Sequence, residues 1–354
     1  MLYDKTGTRY HRGTGPRIFA DGVEIGTAPT LTHMTANLPT LETAATPSAD
    51  TAPGWVKYAG NPVMGGEYGT CFDISVLKEA PGFRMWLSWR PQKSVALVTS
   101  PDGLSWSGPP VPVLGPRPET GWEDDINRPV VVKREDGYHM WYTGQNRAHS
   151  AIGYATSPDG ITWTRQSTEP VLSPDQPWEK VAVMCPDVTW DAAAQIYKMW
   201  YSGGDQYEPD AIGYATSPDG LHWTKLAQNP IFVPDPQSAW EQHKVTACQV
   251  IPDADGYTML YIGFENVQHA QIGLARSEDG ITGWVRNPAN PIIRTSTRGS
   301  GNDWDCNACY KPFAVFDGTK WLLWYNGRRG SSATDGGGLE QIGVAIWEGE
   351  GLGF

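Results

Sequence analysis

One phrase returns along this chain and restricts its fold more than any other feature. It reads IGYATSPDGITW at Ile152–Trp163, IGYATSPDGLHW at Ile212–Trp223 and IGLARSEDGITGW at Ile272–Trp284. A divergent copy, VALVTSPDGLSW, occupies Val95–Trp106. An apolar, aromatic segment precedes each copy: MWLSW at Met85, MWYTG at Met140, MWYSG at Met199 and MLYIG at Met259. A further segment of this kind, LWYNG, begins at Leu323. A Pro-led apolar segment follows each copy, at Pro112, Pro170, Pro230 and Pro291. A Trp-acid pair then opens the next unit: Trp122-Glu123, Trp178-Glu179, Trp240-Glu241 and Trp304-Asp305.

The period of roughly 50–60 residues lies in the range of propeller blades and solenoid units. Each unit reads as four strands. The first carries NRPVVV, MCPDVTW, ACQVIP or YKPFAVF; the second is the MWYTG type; the third is IGYATS; the fourth follows the Trp. Asp-Gly between the third and fourth strands is a strong hairpin signal, because both turn positions favour positive φ. The repeated SPDG turns are therefore read as structural. Forty Gly, 29 Pro and only 19% charged residues suit short strands and tight turns, since Gly and Pro break helices. The 17 Trp are read chiefly as repeated blade-packing residues, with sugar stacking as the alternative use of a flat indole face.

The expected fold is all-β, a five-bladed β-propeller. After Ile342–Trp347 the last unit lacks its own DGxxW segment, but Trp55–Met64 (WVKYAGNPVM) matches Trp223–Phe232 (WTKLAQNPIF) nearly position for position. An N-terminal strand is thus expected to supply the outer strand of the last blade and close the ring, which protects strand edges. Residues 1–53 fall outside the repeat as an extension and linker, and residues 54–354 form the propeller. Arg17–Gly26 reads as a small hairpin, either packed on the ring or used for homo-oligomerisation through residues 1–53.

The formal net charge of −12 argues against a nucleic-acid partner, whose phosphates need a basic surface. No apolar run is long enough to span a membrane. The N-terminal MLYDKTGTRYHRGTG lacks the apolar stretch of a secretory signal, so the chain as given is expected to be cytoplasmic, or secreted or periplasmic if a signal was removed. Five Cys do not suggest a disulfide framework, and Cys306-Asn-Ala-Cys309 is a lone CxxC without a second pair, weak grounds for zinc. No metal site is expected.

Strands that alternate in direction place the loops before each first strand at one mouth, together with the loops between the second and third strands. The SPDG hairpins share the other. The first mouth receives varied polar residues, the pattern of a functional face. Asp73, Asp125, Glu208 and Glu265 are the candidate catalytic acids. Glu67, Asp124, Asn127, Arg128, His243, Lys311 and Arg328 are candidate substrate-binding residues. Carboxylates with mixed basic partners are the equipment of glycoside hydrolysis, in which one acid protonates the leaving oxygen and another activates water or attacks. Asp124 and Asp125 read alternatively as turn caps or partners of Arg128, and His243 as a hydrogen-bonding rim residue.

The blade pattern resembles the five-bladed propellers of glycoside hydrolase families 43, 32, 62, 117 and 130 over most of residues 54–347. Family 32 and its relatives carry Asn-Asp-Pro, Arg-Asp-Pro and Glu-Cys-Pro motifs on successive blades. The matching segments here are Cys71-Phe72-Asp73-Ile74, Asn127-Arg128-Pro129 and Met184-Cys185-Pro186-Asp187. Asp73 retains the first acid; Arg128 and Met184 stand where the other two are expected. The resemblance implies a glycosidase on a carbohydrate substrate, of arabinofuranosidase or fructofuranosidase type, with relocated acids and no cofactor. It leaves two alternatives. One is a phosphorylase like those of family 130, with Arg128, Lys180, Lys311 and Arg328 holding phosphate. The other is a sugar-binding propeller without catalysis.

Overall fold

The computed structural model describes residues 50–354 except 208, 302, 331–337 and 350, together with three earlier strands. These are β1 (Leu2–Asp4), β2 (Gly15–Ala20) and β3 (Val23–Thr27), which form one antiparallel sheet. The Arg17–Gly26 hairpin corresponds to the β2–β3 pair. The expected linker falls largely on residues 28–49, outside the described residues. The chain divides into two compact units, Met1–Thr46 and Pro47–Phe354.

The second unit is all-β. It opens with the short strand β4 (Trp55–Lys57), followed by a four-stranded antiparallel set: β5 (Cys71–Glu79), β6 (Gly82–Trp89), β7 (Ser94–Ser100) and β8 (Val111–Leu114). The second set is β9 (Asp125–Arg134), β10 (Gly137–Gln145), β11 (Ser150–Ser157) and β12 (Thr164–Arg165). The third is β13 (Ala182–Asp191), β14 (Ile196–Gly204), β15 (Ala211–Ser217) and β16 (Thr224–Lys225). The fourth is β17 (Lys244–Asp253), β18 (Gly256–Asn266), β19 (His269–Ser277) and β20 (Val285–Arg286). The last contains β21 (Ala308–Phe316), β22 (Lys320–Arg329) and β23 (Leu339–Glu348), and its fourth strand is β4, paired as Ala345↔Lys57 and Trp347↔Trp55. The same register holds in the second, third and fourth sets, Ala155↔Arg165, Ala215↔Lys225 and Ala275↔Arg286.

The repeated residues explain themselves in this frame. In each SPDG turn the Asp accepts the N–H groups two and three residues on, as Asp159 Oδ1 does from Ile161 (2.8 Å) and Thr162 (2.7 Å). Those bonds pull the Asp159 carboxyl down to about 2. Second-strand tryptophans then tie each set to the next. Trp86 Nε1 donates to the Gly160 carbonyl, Trp141 to Gly220 and Trp200 to Gly280, at 2.9, 2.9 and 2.8 Å. Trp324 of the last set donates to Gly103 of the first at 2.8 Å. The fourth set has Leu260 at this position. Its neighbour, the last set, takes β4 from elsewhere in the chain and offers no SPDG turn to receive an indole.

The Trp-acid pairs are buried staples. Glu123 accepts from Tyr142 (2.6 Å) and pairs with Arg165 (2.7 Å); Glu179 accepts from Tyr201 (2.7 Å) and pairs with Lys225 (2.7 Å). Glu241 pairs with Arg286 at 2.6 Å. In the last set Asp305 accepts from Tyr325 (3.0 Å) and pairs with Lys57 (2.8 Å), so β4 supplies a cation as the fourth strands of the second, third and fourth sets do. The Trp packs flat on a second-strand glycine: a Cβ on Gly327 would lie 2.1 Å from the Trp304 ring.

Candidate active site

Each first strand carries a bulge whose central residue has positive φ: Asp73 (43°), Arg128 (54°), Cys185 (53°), Ala247 (39°) and Lys311 (48°). Such backbone is costly for residues with a Cβ and persists where neighbours hold it. Here the neighbouring set does so. The bulge N–H of Arg128 donates to Ser88 Oγ (2.8 Å), that of Cys185 to Thr143 Oγ1 (3.1 Å) and that of Ala247 to Ser202 Oγ (2.8 Å). Asp73 N–H donates to Asn326 Oδ1 at 3.0 Å, across 253 residues of sequence.

A cavity of about 430 Å³ opens where these bulges meet the turns between second and third strands. Charged residues on its wall come from three of the sets: Asp73, Arg90 and Lys93 from the first, Asp124, Asp125, Arg128 and Arg147 from the second, and Glu340 from the last. Asp73 is nearly buried. Its Oδ2 faces Arg128 Nε at 3.0 Å, and its Oδ1 accepts from Asn326 Nδ2 at 2.6 Å. Arg128 is oriented further by Asn127 Oδ1 (2.7 Å) and Gln145 Oε1 (3.2 Å). Asn127, itself buried, donates to Asp125 Oδ1 at 3.2 Å.

Glu340 is in a different condition. Burial pushes its carboxyl above the usual range, against the opposing pull of Arg90, whose Nη2 lies 3.7 Å from Oε2. Tyr310 donates to Oε1, while Oε2 has no hydrogen-bond partner among the described residues. One cavity thus holds an ion-paired carboxylate and a carboxyl biased toward its protonated form, the division of labour that acid-base hydrolysis needs.

The sequence candidates divide. Asp73, Asp124, Asp125 and Arg128 line the cavity. Asn127 supports it from behind. Glu265 does not line it: its carboxylate is half-exposed and held by His269 Nδ1 at 2.6 Å. Glu67 and His243 are exposed and also lie off the cavity lining. Lys311 is buried within β21, and Arg328 is buried over the Tyr310 ring, with Nη2 on the Gln268 carbonyl at 3.3 Å. Glu208 lies outside the described residues. Glu123 and Asp305, from the Trp-acid pairs, are the buried staples described above and do not line the cavity. Among the described residues no cluster of His, Cys, Asp or Glu is arranged to hold a metal ion.

Sequence reasoning missed Glu340. It lies two residues before the Ile-Gly of the third strand, where the other units have Lys93, Ser150, Asp210 and Ala270. The variability of that single repeat position was the available signal.

The family model for the glycosyl hydrolases family 32 N-terminal domain matches residues 116–327. The chain belongs to that family. This family 32 chain is a glycosidase, as its sequence led us to expect. An uncharacterized protein of Mycobacterium tuberculosis is 30% identical over 288 residues, spanning 75% of this chain and 88% of that one. A β-fructofuranosidase of Arabidopsis thaliana, the insoluble isoenzyme CWINV5, is 29% identical over 136 residues, 34% of this chain and 22% of that one. The crystal structure of a thermostable family-43 glycoside hydrolase superimposes with a TM-score of 0.63 at 18% identity, covering 83% of this chain and 98% of the other. That likeness bears on fold alone.

Proposed function

We propose that the chain hydrolyses a furanosidic bond in this cavity, with Asp73 as the charged carboxylate facing the anomeric carbon and Glu340 as the acid that protonates the leaving oxygen. Asp125, on the same wall, stabilises the positive charge that develops on the sugar ring. The observation that carries the reading is the contrast between Asp73, ion-paired to Arg128 at 3.0 Å, and Glu340, raised by burial. The furanoside preference draws on family 32 membership and on the β-fructofuranosidase relative.

Within this reading the four-stranded sets are five propeller blades. In support, β5 lies against β9, β9 against β13, β13 against β17, β17 against β21, and β21 against β5. The Trp324–Gly103 and Asn326–Asp73 bonds join last set to first.

Hydrolysis is favoured over phosphorolysis because the four cations that the sequence offered for phosphate, Arg128, Lys180, Lys311 and Arg328, are paired or buried. Lys180 pairs with Asp205 at 3.0 Å, Lys311 is buried, and Arg128 is committed to Asp73. Product analysis on furanosidic and pyranosidic oligosaccharides, with and without phosphate, tests the proposal. Free reducing sugar from a furanoside without phosphate is expected. Turnover only with phosphate, or binding without turnover, refutes it.

A further inference from the structure

The cavity has a second wall unlike the first. From the third and fourth sets it receives Cys185, Thr246, Ala247 and Ile262, none of them charged, with Tyr207 and Pro209 at the rim. Cys185, Ala247 and Ile262 belong to one buried apolar cluster with Met184 and Phe264. Met184, the residue standing where the resemblance expects an acid, is therefore part of the backing of an apolar surface.

The repeat singles out Ile262. At its position the other sets have Ser88, Thr143, Ser202 and Asn326, and each accepts the bulge N–H of the next set. Ile262 has no oxygen and cannot do this for Lys311. It has left the structural task of its equivalents and presents a branched hydrocarbon to the cavity. Thr246 pairs with Ile262, and the next residue, Ala247, is the smallest of the five bulge residues. A small residue beside a hydrocarbon wall makes a recess that a methyl group fills. A hydroxyl laid against the Ile262 and Ala247 side chains would be stripped of water, and neither of them offers it a partner. Thr246 Oγ1 on this wall is buried and has no hydrogen-bond partner among the described residues, so it is available to a ring hydroxyl beside the recess.

We infer that the site selects a deoxy sugar, one with a methyl group where the common sugar has a hydroxymethyl, and that the methyl packs against Ile262, Ala247 and Cys185. This rests on the proposed hydrolysis at the same cavity and names its substrate class.

The test is calorimetric binding of matched methyl glycosides that differ only by CH₃ against CH₂OH: L-fucose with L-galactose, L-rhamnose with L-mannose, and 5-deoxy-L-arabinofuranose with L-arabinofuranose. The wild-type chain is expected to bind the deoxy member of at least one pair about tenfold or more tighter, the scale a hydrophobic pocket achieves for such a difference. Ile262→Thr places the residue of the second set at this position and restores an acceptor for Lys311, so the variant is expected to fold. Its preference should shrink several-fold. Ala247→Ser, a second variant, should shrink it likewise by giving the recess a hydroxyl. Equal binding within every pair, tighter binding of the hydroxymethyl members, no binding by wild type, or an unchanged preference in both variants overturns the inference. Hydrolysis of furanosides without deoxy preference sinks this inference alone. Selective deoxy binding without any turnover sinks the hydrolase reading and leaves this one standing.

Discussion

Replacing Lys57 by Met tests how firmly β4 holds the last set together. Lys57 is 12% exposed and Asp305 is fully buried, with Nζ and Oδ2 2.8 Å apart. The ammonium also donates to the Arg294 carbonyl at 2.6 Å and to Ser296 Oγ at 3.1 Å. Removing one partner of a buried ion pair costs ~3–5 kcal/mol, because the other charge is left without compensation. Asp305 keeps the Tyr325 hydroxyl at 3.0 Å and the Ser296 N–H at 3.3 Å, which places the expected loss at the lower end, ~3 kcal/mol. With an unfolding entropy of ~2.1 cal/mol/K per residue over a unit of about 300 residues, that loss lowers Tm by roughly 5 °C. Differential scanning calorimetry reads it, with Lys225→Met as the control, since Lys225 makes the equivalent 2.7 Å pair to Glu179 from a strand continuous with its own set. The two variants should fall by similar amounts, and adding Asp305→Asn to Lys57→Met should recover part of the loss. A Lys57→Met variant that melts within about 1 °C of wild type while Lys225→Met falls several degrees would refute the reasoning. It would mean that β4 adds little to the cooperative unit.

Three further outcomes follow from the site and the strands beneath it. Asp73→Asn and Glu340→Gln should each lower kcat/KM by on the order of a hundredfold or more with the fold intact by circular dichroism, and near-native turnover in either removes that residue from the mechanism. Because burial raises the Glu340 carboxyl, its protonated form persists above the ordinary carboxylate range. Turnover should therefore fall as pH rises through that raised value, and a pH-rate profile of Glu340→Gln should lack this alkaline limb. Asp187 is buried in β13 and its carboxyl is pushed up to about 6, from 3.8, by burial. Its contribution to stability is present below the unfolded value and is lost as pH rises through about 6. Asp187→Asn, whose amide oxygen still accepts the Val250 N–H, should then be more stable than wild type at pH 8 by on the order of 1–3 kcal/mol and equal to it near pH 3.5, as read by urea unfolding.

What could be read from the sequence was what is local or repeated. The SPDG turns, the four strands per unit and the match of Trp55–Met64 to Trp223–Phe232 were visible because hairpin chemistry and strand patterning act over a few residues. The cavity residues on β5 and β9, Asp73, Asp125 and Arg128, were legible for the same reason: they sit beside motifs that recur. Glu340 was not, because its significance depends on packing against Tyr310 and Arg90, which are distant in sequence. Glu123 and Asp305 are a further case. Their position in the chain puts them near the mouth, but only the structure reveals the tyrosine and cation that bury each of them. Glu265 looked equally eligible, and its His269 partner lies only four residues on.

The tryptophan that links each set to the next has one exception, Leu260, and the exception gives the series of sets an orientation mark. Four units are written to be followed by a unit with an intact turn; the fourth is written to be followed by the seam. The units are therefore not interchangeable modules. A circularly permuted chain that moved the seam into the second unit would leave Trp86 facing an interrupted turn, without the carbonyl of Gly160 in its present place. It would also give the last unit a continuous hairpin that Leu260 has no indole to engage. Relocating the break would call for exchanging the identities of residues 86 and 260, so the address of the seam is stored one full unit upstream of where β4 pairs with β23.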